Sequence, residues 1–171
     1  MKTRKIIFLS LLTALGLVLG FFESFMPLPL AIPGARLGLS NIVVLVTIVS
    51  FGYREGFALA LLKTILLTFV TGSVSAFFYS FAGALLSSIA MVLAHRFLKK
   101  YLSLIGISEI GSFFHNLGQV LMASFMLKSM TIISYLPLLV ILGIFTGYFV
   151  GLAGTYITRH LEKINFEVNK L

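Results

Sequence analysis

The sequence predicts an all-α, polytopic membrane protein: a bundle of six transmembrane helices. Three observations carry that prediction. The 171 residues are 59% hydrophobic and only 11% charged, with mean hydropathy +1.09, whereas a soluble domain carries about 25% charged residues. The apolar residues fall into runs of span length, broken by Gly, Pro and short polar stretches. The Lys and Arg residues cluster in alternate connections, as the positive-inside rule requires.

The first span covers 6–25 and follows Lys2, Arg4 and Lys5. It is too long for the apolar core of a signal peptide and lacks a small-x-small cleavage site, so it reads as an uncleaved helix. Pro27, Pro29, Pro33 and Gly34 then forbid a continuous helix over 26–36. The second span is 37–51, ended by Gly52, Tyr53, Arg54 and Glu55. The third is 56–70, ended by Thr71, Gly72 and Ser73, and the fourth is 74–94, ended by the basic stretch from His95 to Lys100. Residues 102–107 are expected along the membrane interface. The fifth span is 110–127 and the sixth 135–157, with a polar tail from Arg159. No internal repeat or second domain is visible, so the expectation is one domain over 1–171.

Six spans place both termini on one side. With the N-terminus inside, Lys2, Arg4, Lys5, Arg54, Arg96, Lys99, Lys100, Arg159, Lys163 and Lys170 are inner, and Arg36 and Lys128 are outer. This asymmetry predicts an N-in, C-in protein. It also assigns the +8 net charge to topology and to an acidic leaflet, not to nucleic acid. With no Trp and 17 Phe, any aromatic belt rests on Tyr and Phe.

Helices in lipid associate through small residues that let backbones approach. Gly143, Gly147 and Gly151 form such a stripe on the sixth span, expected to pack within the bundle. Ala76, Ser80, Gly83 and Ser87 do the same on the fourth. The first span carries two small faces, Ser10/Ala14 and Gly16/Gly20. Two faces exceed what one neighbour needs, so one is expected to serve a partner membrane protein.

Lys63 stands in the middle of the third span. A cation there is a functional-site signal, because an uncompensated charge in hydrocarbon is expensive. Ser108, Ser112, His115, Asn116 and Gln119 share one face of the fifth helix, beginning beside Glu109. Lipid satisfies none of them, so the stripe is expected to face the interior. Counted from 56 and 110, Lys63 and His115 both stand about 8–10 Å above the inner boundary. They are expected to meet there, with Glu109 just below as a possible counter-charge to Lys63. A separate outer layer is expected from Glu23, Arg36 and Asn41, under a stiff proline loop suited to lid a pocket. Backbone amides near Gly34 and Gly38 suit an anion or polar headgroup. Each group also has a purely structural reading, as ion pair or helix-to-helix hydrogen bond.

No catalytic constellation emerges. The chain has no Cys and no Asp. That excludes thiol chemistry, a Walker pair and the aspartate-rich magnesium motifs that hold prenyl diphosphates. His95, His115 and His160 are too scattered for zinc, and no cofactor is implied.

The stretches from Pro33 to Val43 and from His115 to Gln119 resemble signatures of a bacterial family known as Gx transporter or heptaprenyl diphosphate synthase component I. That family in turn resembles the substrate-binding (S) components of energy-coupling-factor transporters. The resemblance implies a six-helix bundle in the bacterial cytoplasmic membrane with an outward pocket under the loop between the first two helices. It implies docking through the first helix on a shared transmembrane scaffold driven by separate ATPases, and transport by toppling of the whole bundle. By that analogy Ser10 and Ala14 form the docking face, in place of an Ala-xxx-Ala pair. The synthase label reads as inherited, since the acidic motifs are missing. The function expected is binding and uptake of a small vitamin-, quinone- or isoprenoid-precursor-like molecule. Glu23, Arg36 and Asn41 would shape the entrance, and Lys63, His115, Asn116 and Gln119 the polar floor. The alternative is a non-transporting membrane subunit of a prenyl diphosphate, quinone-pathway or electron-transfer assembly.

Overall fold

The structure, a computed structural model, describes residues 2–26 and 36–163. The proline loop over 27–35, including Gly34 and its expected role as a lid, lies outside them. So does the tail from 164.

Among the described residues the chain is helical throughout. It forms α1 (Lys2–Ser24), α2 (Asn41–Ser50), α3 (Tyr53–Thr71), α4 (Val74–Leu98), α5 (Leu104–Leu127) and α6 (Leu136–Lys163), with a 3-10 turn over Met130–Tyr135 before α6. Three stretches are long and apolar enough to cross a membrane: Lys5–Ser24, Val74–Leu98 and Met130–Lys163. This is the composition of a membrane protein. The interfacial segment expected over 102–107 is mostly the first turn of α5. Ser103 caps it by accepting the Gly106 N–H at 3.4 Å, which lets the helix start where sequence reading placed a surface stretch.

At ten residues, α2 is shorter than the span expected over 37–51. It is about 15 Å long, half the ~30 Å of a hydrocarbon core. Residues 36–40 before it are not helical. Gly38 turns the chain into α2 at φ +89°, a conformation other residues rarely adopt. The helix itself is apolar on every side, and Val43, Val44, Leu45, Val46 and Ile48 are all buried, as an all-round hydrophobic helix must be.

The other helices pack around α2. One core joins Val43, Val44, Leu45 and Ile48 to Leu59 and Ala60 of α3, Met91 and Ala94 of α4, Ile107 of α5 and Val150 of α6. A second, smaller core near the 3-10 turn gathers Tyr79, Val120, Ala123, Ile132 and Leu139.

Small residues set the closest approaches. A Cβ at Gly143 would meet Asn116 and Ser112, one at Gly147 would meet Glu109, and one at Gly151 the backbone of Ile105. The α6 stripe therefore lies against α5. On α1, Gly16 faces Val43 and Lys63, and Gly20 faces Leu67. This is the small face turned inward; Ser10 and Ala14 are exposed on the other.

Candidate functional site

Polar side chains from four helices converge on residues 36–40. Backbone without helical partners must find its hydrogen bonds elsewhere when buried, and here side chains supply them. Gln119 of α5 takes both backbone groups of Arg36. Its Oε1 accepts the Arg36 N–H at 2.8 Å, and its Nε2 donates to the Arg36 carbonyl at 2.8 Å. Thr146 of α6 donates to the Leu37 carbonyl at 3.3 Å. Glu23 of α1 accepts the Leu39 N–H at 2.5 Å and the Ser40 N–H at 3.5 Å. Its carboxylate thus sits on free N–H groups just ahead of α2, where a helix start favours negative charge.

Lys63 of α3 completes the cluster. Its Nζ donates to Ser40 Oγ at 2.9 Å and to Asn41 Oδ1 at 3.3 Å, and the residue is 4% exposed. The ammonium does not snorkel to either membrane face. Ser40 links the two charges, giving its N–H to Glu23 and accepting from Lys63 at its hydroxyl.

The sequence placed Lys63 in a layer separate from Glu23, Arg36 and Asn41. The structure merges the two. Because α3 begins at Tyr53 and α5 at Leu104, Lys63 and His115 lie ten and eleven residues into their helices, about 15–17 Å along. The short α2 brings 36–40 down to the same level. Glu109, six residues below His115, rests against Gly147 and has no contact with Lys63. The carboxylate whose charge acts on Lys63 is Glu23, with Arg36 as a second cation beside them.

A small cavity lies inside this ring, lined by Arg36, Ser40, Lys63, Thr64, Ser80 and His115 among others. It holds about 10 Å³ for the centre of a water-sized sphere, room for roughly one water. Its walls carry unused polar atoms. Arg36 Nε, Ser80 Oγ and both ring nitrogens of His115 are buried without a hydrogen-bond partner among the described residues. Backbone of Gly83 lies beside the imidazole, outside hydrogen-bonding geometry. Buried orphan polar groups are rare and call for a cause.

The remaining predicted residues divide. Asn41 is in the ring. Asn116 and Gln119 are buried, but their amide nitrogens are taken by backbone carbonyls, Asn116 Nδ2 donating to Leu139 at 2.7 Å. Ser112 likewise donates to the Gly143 carbonyl at 2.8 Å. Sequence reasoning missed Ser40, Thr64 and Thr146 as site residues, and took Ser80 and Gly83 only as packing positions. Ser40 carried a signal, standing next to Asn41 and ahead of a helix. Thr64 and Thr146 carried none, since Thr in an apolar helix ordinarily bonds its own backbone.

The fold and site define a class: a helical membrane protein enclosing a buried, charged, partly unsatisfied polar centre. The signature of the heptaprenyl diphosphate synthase component I family matches residues 12–157, and the chain belongs to that family. The name denotes one component of a larger assembly. No curated protein and no solved structure matches the chain.

Proposed function

We propose that this protein is a substrate-binding membrane subunit that captures a small molecule with an anionic or strongly polar head and an apolar remainder. It would cross the bacterial cytoplasmic membrane six times with both termini inside, and work with an energising partner. The observation that carries this reading is the convergence of Arg36, Lys63 and His115 on one buried cavity, with Arg36 Nε and the His115 ring nitrogens unused among the described residues. The ring holds two cations against one carboxylate, so it carries a surplus positive charge at a depth where charge is costly. An anionic group there would balance it and take up the free donors of Arg36 and His115.

As it stands the cavity is closed around about one water. Loading a larger head requires residues 36–40 to lift, and Glu23, Arg36 and Asn41 sit on or beside that segment as the entrance. Lys63 and His115 form the floor. Gln119 and Asn116 hold the frame around it. The exposed Ser10/Ala14 face of α1, flanked by exposed Ile7, Leu11 and Val18, is the surface on which a transmembrane scaffold would dock. Coupling to ATPases follows from the S-component resemblance alone.

Native mass spectrometry of the protein extracted from its own membrane tests the reading directly. A retained small molecule, lost in Lys63→Met while the bundle stays folded, supports it. Unchanged retention would reduce Lys63 to a structural role.

The family name favours a second reading, a membrane subunit of a prenyl diphosphate or quinone-pathway assembly. The same centre would then hold a diphosphate or quinone head without transporting it. Co-purification separates the two. A membrane scaffold with two ATPases belongs to the first reading, a soluble prenyl synthase or flavoprotein to the second.

A further inference from the structure

An apolar groove lies on the bundle surface between α4 and α5, away from the polar centre. Leu86, Ile89, Leu93 and Phe97 of α4 line it with Ile110 and Phe114 of α5, and none of its lining side chains is polar. Its volume is about 380 Å³.

Two features distinguish it from ordinary lipid-facing surface. The first is length. The α4 lining runs from Leu86 to Leu98, twelve residues or about 18 Å of helix, close to half of a ~30 Å hydrocarbon core. A groove of that length matches the depth of one leaflet, and it runs toward the end of α4. The second is charge. At that end stand Arg96, Lys99 and Lys100, all exposed. The Arg96 guanidinium lies 5.5 Å from the centre of the Phe97 ring, which holds its charge at the mouth of the groove. Among the described residues none of the three is ion-paired; the ion pair that is formed joins Lys5 to Glu55.

We propose that this groove binds one acyl chain of an anionic phospholipid, with its phosphate on Arg96, Lys99 and Lys100. An apolar slot one leaflet long, capped by three unpaired cations, is complementary to that molecule from tail to head. Each basic residue near the headgroup plane favours an anionic lipid. The site is independent of the polar centre, so the test below does not depend on the uptake reading.

The test is native mass spectrometry of the purified protein in mild detergent, titrated with phosphatidylglycerol and with phosphatidylcholine of identical chains. The intact protein should retain phosphatidylglycerol about tenfold better or more. The triple change Arg96→Gln, Lys99→Gln, Lys100→Gln should bring the ratio close to one. Leu93→Trp, which fills the groove from a lipid-facing position, should weaken retention of both lipids about tenfold. A double change at the C-terminal end of α6, Arg159→Gln with Lys163→Gln, should leave the preference unchanged. Equal retention of the two lipids by the intact protein overturns the proposal. So does an equal loss of preference in the α6 variant, or displacement of phosphatidylglycerol by farnesyl diphosphate at lower concentration.

Discussion

Two parts of the α5 stripe make an instructive pair. Gln119, Asn116 and Ser112 are 0%, 1% and 8% exposed, and His115 between them is 5% exposed. All four are polar, buried and on one helix face. Yet the first three each bond a backbone group of a neighbouring segment, whereas His115 has no hydrogen-bond partner among the described residues and lines the cavity with Arg36 and Lys63. Burial and polarity do not separate framework from site here. What sets His115 apart is that neither ring nitrogen is bonded among the described residues, whereas Gln119, Asn116 and Ser112 each donate a hydrogen bond, with Asn116 Oδ1 left over.

Mutations can break or sharpen that contrast. The largest effect is expected from Gln119→Leu, which orphans both the N–H and the carbonyl of Arg36. At about 1–3 kcal/mol per stranded group, the loss is about 2–6 kcal/mol, read as a fall in melting temperature in detergent. A negligible fall would move Gln119 from the framework to the site. Next come Lys63→Met and Arg36→Gln. Ligand retention should drop at least tenfold, about 1.4 kcal/mol or more. Thermal stability should fall less than in Gln119→Leu, because a second cation still faces Glu23. Lys63→Met should show the larger fall of the two, since it also strips Ser40 and Asn41 of their donor. A collapse of the bundle in both variants would make the pair structural. Asn116→Leu should cost about 1 kcal/mol through its lost bond to Leu139, with ligand retention intact; weakened retention would place Asn116 on the ligand. The smallest effect belongs to Lys5→Gln. Its 2.5 Å pair with Glu55 is about a quarter exposed on both sides, and such pairs contribute about 0.2–1 kcal/mol. A larger shift in melting would show that the α1–α3 contact depends on it.

Much of the helical plan was legible in the sequence because hydropathy and breakers are local signals. Gly72 and Ser73 marked the turn between α3 and α4, and the α6 glycines marked a close face. Helix ends were less legible where caps decide them, as at Ser103. The meeting of the two polar groups was not legible. Counting Lys63 from 56 and the outer polar group from 36 kept the two apart, because no pattern along the chain shows residues 36–40 reaching Lys63. The sequence also gave no hint that the second helix is only ten residues long, because residues 37–40 are nearly as apolar as those that follow. That truncation is what joins the Glu23–Arg36–Asn41 layer to Lys63. His115 and Lys63 were legible as candidates from their chemistry alone. Their separation from Gln119 and Asn116 in role required partners from α2, α4 and α6 that no pattern along one helix reveals.

One short stretch of chain fastens four helices at once: α1 through Glu23, α3 through Lys63, α5 through Gln119 and α6 through Thr146. Such a knot cannot be loosened one strand at a time. Admitting a guest beneath residues 36–40 would untie several helices together, and a guest that supplied its own donors and acceptors would retie them. On the proposed reading, occupancy would thereby be written into the stiffness of the entire body, where a neighbouring membrane protein could sense it through a face that never touches the guest.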